Sequence, residues 1–315
     1  MKTEKISIVI PAFNEEESLP FLLDEIGGLF KNLPYKYEVI VVDDGSYDST
    51  WGVILNFSKN FNKNIKGVRL MKNYGQTAAI QAGFKESCGD VIAVMDADGQ
   101  NDPRDIPRLI VEIEKGYDVI SGWRYKRKDS FLRVAASWMG NFLVRRISGL
   151  KLHDIGCSLK AYRREWVNDV KILGEMHRIL LAYLAERGAQ VSELKVNHRK
   201  RMKGKSKYGM GRVVKLIMDL ILYRFFVSFI SKPIYIFGGL GFFSMLLSLL
   251  LALFVIYRKI VFHGAWISPL FFISVTFLTV GILFIMLGIL AELLVRIYYQ
   301  SKYEFPYQIR EKVNS

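Results

Sequence analysis

The chain has 315 residues, of which 51% are hydrophobic and 23% charged, a mixture that argues against a uniform globule and for a soluble part joined to a membrane part. Its 44 Lys and Arg against 30 Asp and Glu leave a net charge of +14, which implies an anionic partner: nucleic acid, a phosphorylated substrate or an acidic lipid surface. The two cysteines, Cys88 and Cys157, lack metal-type spacing and read as free thiols of a reducing compartment.

Up to about residue 200 the chain alternates strands with helices. The opening run Ile6-Ser7-Ile8-Val9-Ile10-Pro11 is too short for a signal-peptide core and ends on Pro, so a first strand over residues 6–13 is expected and no secretory signal. Pro11-Ala12-Phe13-Asn14-Glu15-Glu16-Glu17 turns into a helix, with Asn14 suited to the N-cap and the glutamates to the positive helix start. Leu19, Leu22, Leu23, Ile26, Leu29 and Phe30 then recur at helical spacing. Residues 37–42 read as the next buried strand, ending on Asp43-Asp44-Gly45-Ser46, with a helix from about Asp48 capped by Asp48 or Ser49. A third strand over 66–71 passes through Lys72-Asn73-Tyr74-Gly75-Gln76 into an Ala-rich helix ending near Glu86. Val91-Ile92-Ala93-Val94-Met95 has the pattern of a central strand buried on both faces, and it stops on Asp96-Ala97-Asp98-Gly99-Gln100. A helix over about 105–115 and a strand over 117–122 come next. Such alternation predicts an α/β, mostly parallel, doubly wound sheet.

In an open α/β sheet ligands sit beyond the carboxyl ends of the strands. Asp96-x-Asp98 on such a tip offers oxygen ligands to a hard divalent cation that would also hold a ligand's phosphates; alone, the same pair reads first as a solvated acidic turn. Three polar tips (Asn14/Glu15, Asp43/Asp44, Asp96/Asp98) are expected on one sheet edge, which favours the site. The chain has neither Gly-x-Gly-x-x-Gly after its first strand nor a Gly-Lys-Ser/Thr loop, so neither a dinucleotide fold nor a P-loop is supported.

From residue 123 the sequence turns basic: Trp123-Arg124-Tyr125-Lys126-Arg127-Lys128, then Arg133, Arg145 and Arg146. Asp154, in His153-Asp154-Ile155-Gly156-Cys157-Ser158, is a catalytic carboxylate or a turn former ahead of a strand over 159–162. His177, on the next helical stretch with Glu175 and Arg178, reads as a structural histidine. Residues 195–215 carry no Asp or Glu but Arg199-Lys200-Arg201, Lys203, Lys205, Lys207, Arg212 and Lys215, with Gly204, Gly209 and Gly211 between. The run is a phosphate-binding loop, a juxtamembrane belt worth about 1 kcal/mol per basic residue on anionic lipid, or both. A nucleic-acid patch is disfavoured by the long apolar stretches after residue 230. Residues 213–230 are amphipathic and suit a helix in the membrane interface. Residues 233–257 and 264–291 contain no charge at all, and a span needs about 20 apolar residues. A short connection makes them a hairpin. The flanks hold more Lys and Arg than the loop, placing the N-terminal domain and the tail in the cytoplasm.

The ordered set Pro11-Ala12-Phe13-Asn14-Glu15, Val42-Asp43-Asp44-Gly45-Ser46, Asp96-Ala97-Asp98-Gly99-Gln100 and Arg201-x-x-Gly204-x-Ser206-Lys207 resembles glycosyltransferase family 2. Within it, the resemblance is to polyprenyl-phosphate glycosyltransferases of the dolichyl-phosphate mannose synthase and bacterial undecaprenyl-phosphate glucosyltransferase kinds, and it covers nearly the whole chain. It implies a GT-A nucleotide-sugar-binding domain over 1–208, interfacial helices over 209–232, a transmembrane hairpin over 233–295 (spans 233–257 and 267–291) and a cytoplasmic tail over 296–315. Pro11, Ala12, Asn14, Glu15 and Asp44 would line the nucleotide-sugar pocket, with Asp43, Lys72 and Asp96 close by. Asp96, Asp98 and Gln100 would hold Mg²⁺ or Mn²⁺ against the diphosphate. Arg124, Arg133, Arg201, Ser206 and Lys207 would grip phosphate, with Arg127 and Arg199 as substitutes. Asp154 would face the reacting sugar beside the catalytic Asp96 and Asp98. The expected partners are a nucleoside diphosphate sugar, undecaprenyl phosphate and the inner membrane, with no nucleic acid, in a homotetramer.

The expected activity is inverting transfer of a hexose, with UDP-glucose as first donor, to the lipid phosphate. Transfer from GDP-mannose is the alternative. A processive polysaccharide synthase would carry Gln-x-x-Arg-Trp and further membrane helices, and neither is present. A vestigial membrane scaffold would not need Asp96, Asp98 and Gln100 intact.

Overall fold

The computed structural model describes residues 3–61, 64–125, 152–170, 172, 176–199, 233–262, 268–300 and 307–314. The chain divides into two compact units, Met1–Leu220 with Phe305–Ser315, and Ile221–Glu304.

The first unit is built on one eight-stranded sheet. Its strands are β1 (Lys5–Ala12), β2 (Lys36–Asp43), β3 (Ile65–Leu70), β4 (Val91–Val94), β5 (Val119–Arg124), β6 (Lys160–Arg163), β7 (Val191–Val196) and β8 (Ile309–Val313). They lie in the order β7-β5-β6-β4-β1-β2-β3-β8. The central strands carry the apolar runs: Ile6, Ile8, Val9, Ile10, Ile40, Val41 and Val42 have no exposed surface. Helices cover both faces, which is why these runs do not alternate. On one face α1 (Leu19–Phe30), α2 (Thr50–Asn56) and α4 (Ile106–Glu114) pack with Ile6, Ile8, Ile10, Val39 and Val41 in one core. On the other, α3 (Gln76–Glu86) presses so close that a Cβ on Gly83 would lie 2.2 Å from Val9. Leu19, Leu22, Leu23, Ile26 and Phe30 are all buried, each contributing about 1.5–3 kcal/mol of transfer free energy.

The sheet is mostly parallel, as expected, with one reversed strand, and two local features differ from expectation. β1, β2, β3 and β4 pair in parallel, as do β5 and β7, but β6 runs antiparallel between β4 and β5. Apolar periodicity does not encode strand direction, and the reversal matters: it starts β6 at the edge where β4 ends. Asn14 does not cap α1, whose N-cap is Ser18; Asn14 instead takes a left-handed φ of 53° in the preceding turn. No glutamate lies in the first turn of α1, because the helix begins after them. Finally, residues 309–313 of the expected tail form β8, antiparallel to β3. Trp51 Nε1 donates to Glu311 (3.0 Å), and Asn314 Nδ2 to Ser58 Oγ (2.6 Å). A charged outer strand of this kind closes an otherwise bare sheet edge.

The second unit contains two helices, Pro233–Phe262 and Pro269–Gln300, each long and apolar enough to span a membrane over Ile234–Phe262 and Pro269–Leu294. They are antiparallel: Ser244 Oγ donates to the carbonyl of Phe277 and Ser248 Oγ to that of Ser274, both at 2.7 Å. Gly241 and Gly281 meet where a Cβ on either would strike backbone of the other helix. Small residues and interhelical hydroxyl bonds are the means by which helices associate in lipid. The outer faces expose Phe242, Phe243, Leu250, Leu283 and Leu294. Residues 209–232, expected as interfacial helices, lie outside the described residues.

Candidate active site

The tips of β1, β2 and β4 meet on one edge. After Pro11 and the buried Ala12, the chain turns at Asn14, whose amide donates to Ser46 Oγ (2.9 Å) and whose Oδ1 accepts from the amide of Tyr47 (2.9 Å). The Glu15 amide donates to Thr50 Oγ1 (2.8 Å), and its carboxylate accepts from Ser18 Oγ (2.6 Å). The first two loops are thus stitched into one surface.

Asp44 accepts from the amides of Tyr74 (2.8 Å) and Gly75 (2.9 Å). Burial, reinforced by the charge of Asp43, outweighs those bonds and pushes its carboxyl up to about 6. Gly45 adopts a φ of +68° against the Lys72–Asn73 backbone, where a Cβ would come within 2.4 Å. Asp43, placed with the nucleotide pocket by resemblance, has no exposed surface. It accepts from the Ser46 amide (2.8 Å) and pairs with Arg69 (3.3 Å), so it holds the turn from inside. Lys72 is exposed, its ammonium 5.3 Å above the Tyr74 ring.

At the third tip, Asp96 accepts from Gln76 Nε2 (2.8 Å) and is hydrogen-bonded to Ser158, which Asn101 Nδ2 anchors at 2.8 Å. Burial and the neighbouring charge of Asp98 push Asp96 up to about 6. Asp98 is buried and accepts from the Gln100 amide (3.1 Å), and the Gln100 carbonyl accepts from the Arg199 amide (2.8 Å). Two carboxylates crowded at one strand tip suit a divalent cation. Among the described residues no three Asp, Glu, His or Cys side chains are grouped closely enough to hold a metal ion by themselves. A cation here would therefore complete its shell with substrate phosphates and water, the usual situation of Mg²⁺.

Antiparallel β6 brings Asp154 and Ser158 to the same edge. Arg124, at the end of β5, clasps Asp154 through Nε (2.6 Å) and Nη2 (2.8 Å), and its amide adds a third bond at 3.2 Å. Both side chains are nearly buried. Arg199 does not lie free for phosphate: it bridges Glu25 and Asp102, each at 2.7 Å. His177 shares a 2.6 Å hydrogen bond with Thr77, the residue after Gln76. Arg127, Arg133, Arg201, Ser206 and Lys207 lie outside the described residues.

Three residues of this edge are not among those the sequence motifs point to. Gln76 and Ser158 steady Asp96, and nothing in their neighbours singles them out. Lys160 is 6% exposed on β6, where burial brings its ammonium down to about 8 beside Cys157, Asp154, Arg124 and Asp96. The one signal that could have found it is a lone charge inside the otherwise uncharged run Cys157-Ser158-Leu159-Lys160-Ala161-Tyr162.

The sequence pattern of glycosyl transferase family 2 matches residues 7–171. A dodecaprenyl-phosphate galacturonate synthase of Rhizobium johnstonii is 39% identical, over 98% of this chain and 92% of its own length. An undecaprenyl-phosphate 4-deoxy-4-formamido-L-arabinose transferase of Yersinia enterocolitica is 35% identical, over 100% and 95%. Among solved structures, glucosyl-3-phosphoglycerate synthase from Mycobacterium tuberculosis, crystallised with Mn²⁺, UDP and glucosyl-3-phosphoglycerate, superposes with a TM-score of 0.57 at 19% identity. It covers 70% of this chain and 80% of that one, a likeness of GT-A fold alone.

Proposed function

The chain belongs to glycosyl transferase family 2, in the company of polyprenyl-phosphate sugar transferases, and from that premise we propose that it moves the sugar of a nucleoside diphosphate onto undecaprenyl phosphate at the cytoplasmic face of the inner membrane. The observation that carries the reading is the convergence of Asp96, Asp98, Asp154 and Arg124 at one strand edge of a chain that also holds two membrane-length helices. A prenyl chain is held in the bilayer by about 0.8 kcal/mol per methylene, so the enzyme must work where the lipid is.

The acceptor phosphate, with a second pKa of about 6, is largely dianionic at neutral pH and needs little help from a base. One of its oxygens attacks the anomeric carbon, the bond from that carbon to the diphosphate breaks, and the configuration inverts. Asp154 has both oxygens committed to Arg124, so its role is to orient that guanidinium rather than to take a proton. Arg124 then stabilises phosphate charge as it builds up. Asp96 and Asp98 would hold Mg²⁺ or Mn²⁺, which when bound neutralises the leaving diphosphate. The first two loops, stitched through Asn14 and Ser46, form the nucleoside wall.

The sequence nominates UDP-glucose as donor. The names of the relatives, for galacturonate and 4-deoxy-4-formamido-L-arabinose, favour a modified sugar instead. Membranes containing the protein, incubated with undecaprenyl phosphate and labelled nucleoside diphosphate forms of all three sugars, decide the matter by mass analysis of the lipid. One sugar-bearing lipid is expected. Its absence with every donor contradicts the proposal.

A further inference from the structure

Lys160 is a lysine buried inside the sheet among the described residues. It stands on β6 opposite Val94, two residues short of Asp96, and is over nine-tenths buried. Its ammonium makes no hydrogen bond or ion pair among the described residues, although it stands near Asp96 and Asp154. Those carboxylates are engaged elsewhere: Asp154 by Arg124 through both oxygens, Asp96 by Gln76 and Ser158. A lysine side chain taken this far out of water is costly to keep charged, and its three donors are open to a ligand. A methionine of similar length would pack the same space without that cost.

We propose that Lys160 is a phosphate-binding residue, its ammonium held beneath the strand edge for an anionic oxygen that only the substrate supplies. The inference rests on the transferase reading and deepens it, since two phosphate groups come to this edge, the donor diphosphate and the acceptor monophosphate. Either presents the same chemistry: a non-bridging oxygen that accepts from N–H of a cation. Arg124, clamped by Asp154, offers a fixed fork, whereas Lys160 supplies a point charge from the floor. A residue kept only for packing would be replaceable by any side chain of its length.

The test uses the full-length protein in detergent and two probes, inorganic pyrophosphate with Mg²⁺ and farnesyl phosphate, with binding read by calorimetry and stability by thermal melting. Lys160→Met is expected to melt above the wild type. It should bind one probe about 10- to 100-fold more weakly, the worth of one charge-assisted hydrogen bond. Loss confined to pyrophosphate assigns Lys160 to the donor, and loss confined to farnesyl phosphate assigns it to the acceptor. Lys160→Gln gives the same binding readout should the methionine variant not fold. Unchanged binding of both probes, or a Lys160→Met protein that binds normally and melts lower, overturns the inference while leaving the transferase reading intact. A wild type that binds neither probe overturns both.

Discussion

Arg124 holds Asp154 in a two-pronged grip, Nε to Oδ2 at 2.6 Å and Nη2 to Oδ1 at 2.8 Å, with side chains only 12% and 7% exposed. Removing one partner from a buried pair strands the other charge, at a cost of about 3–5 kcal/mol. Arg124→Met alone and Asp154→Leu alone should therefore both lower the urea midpoint strongly. The double variant should recover most of that stability and none of the sugar transfer. A double variant as unstable as either single one would show that the pair is not the local source of stability.

Glu38 ties the opposite end of the sheet. Burial opposes its ionisation, but Lys5 (2.8 Å), Ser7 (2.6 Å), the Cys88 amide (2.6 Å) and the charge of Lys66 overcome it and hold the carboxyl down from 4.5 to about 2. A depressed carboxyl stabilises the fold fully above its unfolded pKa, and the contribution disappears as pH falls through the folded value. Over the window from about 4.5 to 2 the wild type should lose up to about 3 kcal/mol from this group, less the screening allowed by half-exposed Lys5. Glu38→Gln should start less stable at neutral pH and show a flatter decline in acid. Parallel acid curves for the two proteins would refute the assignment.

Gly45 sits at φ +68° against the Lys72–Asn73 backbone. Alanine there meets both a backbone clash and a left-handed conformation, together about 1–3 kcal/mol. Because the same turn carries Asp44, Gly45→Ala should weaken nucleotide binding more than it lowers the melting temperature, as read by calorimetry with UDP and GDP. Wild-type affinity for the nucleotide that the wild type binds would remove this turn from the pocket.

Much of this is legible in the residues themselves. The runs in β1, β2 and β4 announce strands because burial on both faces forbids polar alternation, and the α1 leucines mark their helix by spacing. β8 is not legible: Ile309-Arg310-Glu311-Lys312-Val313 is mostly charged, since an edge strand buries little, and its partner β3 lies more than two hundred residues away. Separation in sequence also hides the Arg124–Asp154 clasp, although each residue stands out on its own. Asn14 is misplaced at a helix cap because a good capping residue is also a good left-handed turn residue. Arg199 looks available for phosphate because sequence does not reveal that Glu25 and Asp102 already hold it.

The central claim is that Asp98 helps bind the cation on which donor use depends. Asp98 accepts a bond from the Gln100 amide, and an asparagine oxygen can accept the same bond, so Asp98→Asn should fold and melt like the wild type. With the donor the wild type uses, undecaprenyl phosphate and Mg²⁺ or Mn²⁺, its initial rate of lipid glycosylation should fall by about 10²- to 10³-fold or more, the scale of losing electrostatic stabilisation of a transition state. A well-folded Asp98→Asn protein that glycosylates the lipid at the wild-type rate would contradict the account.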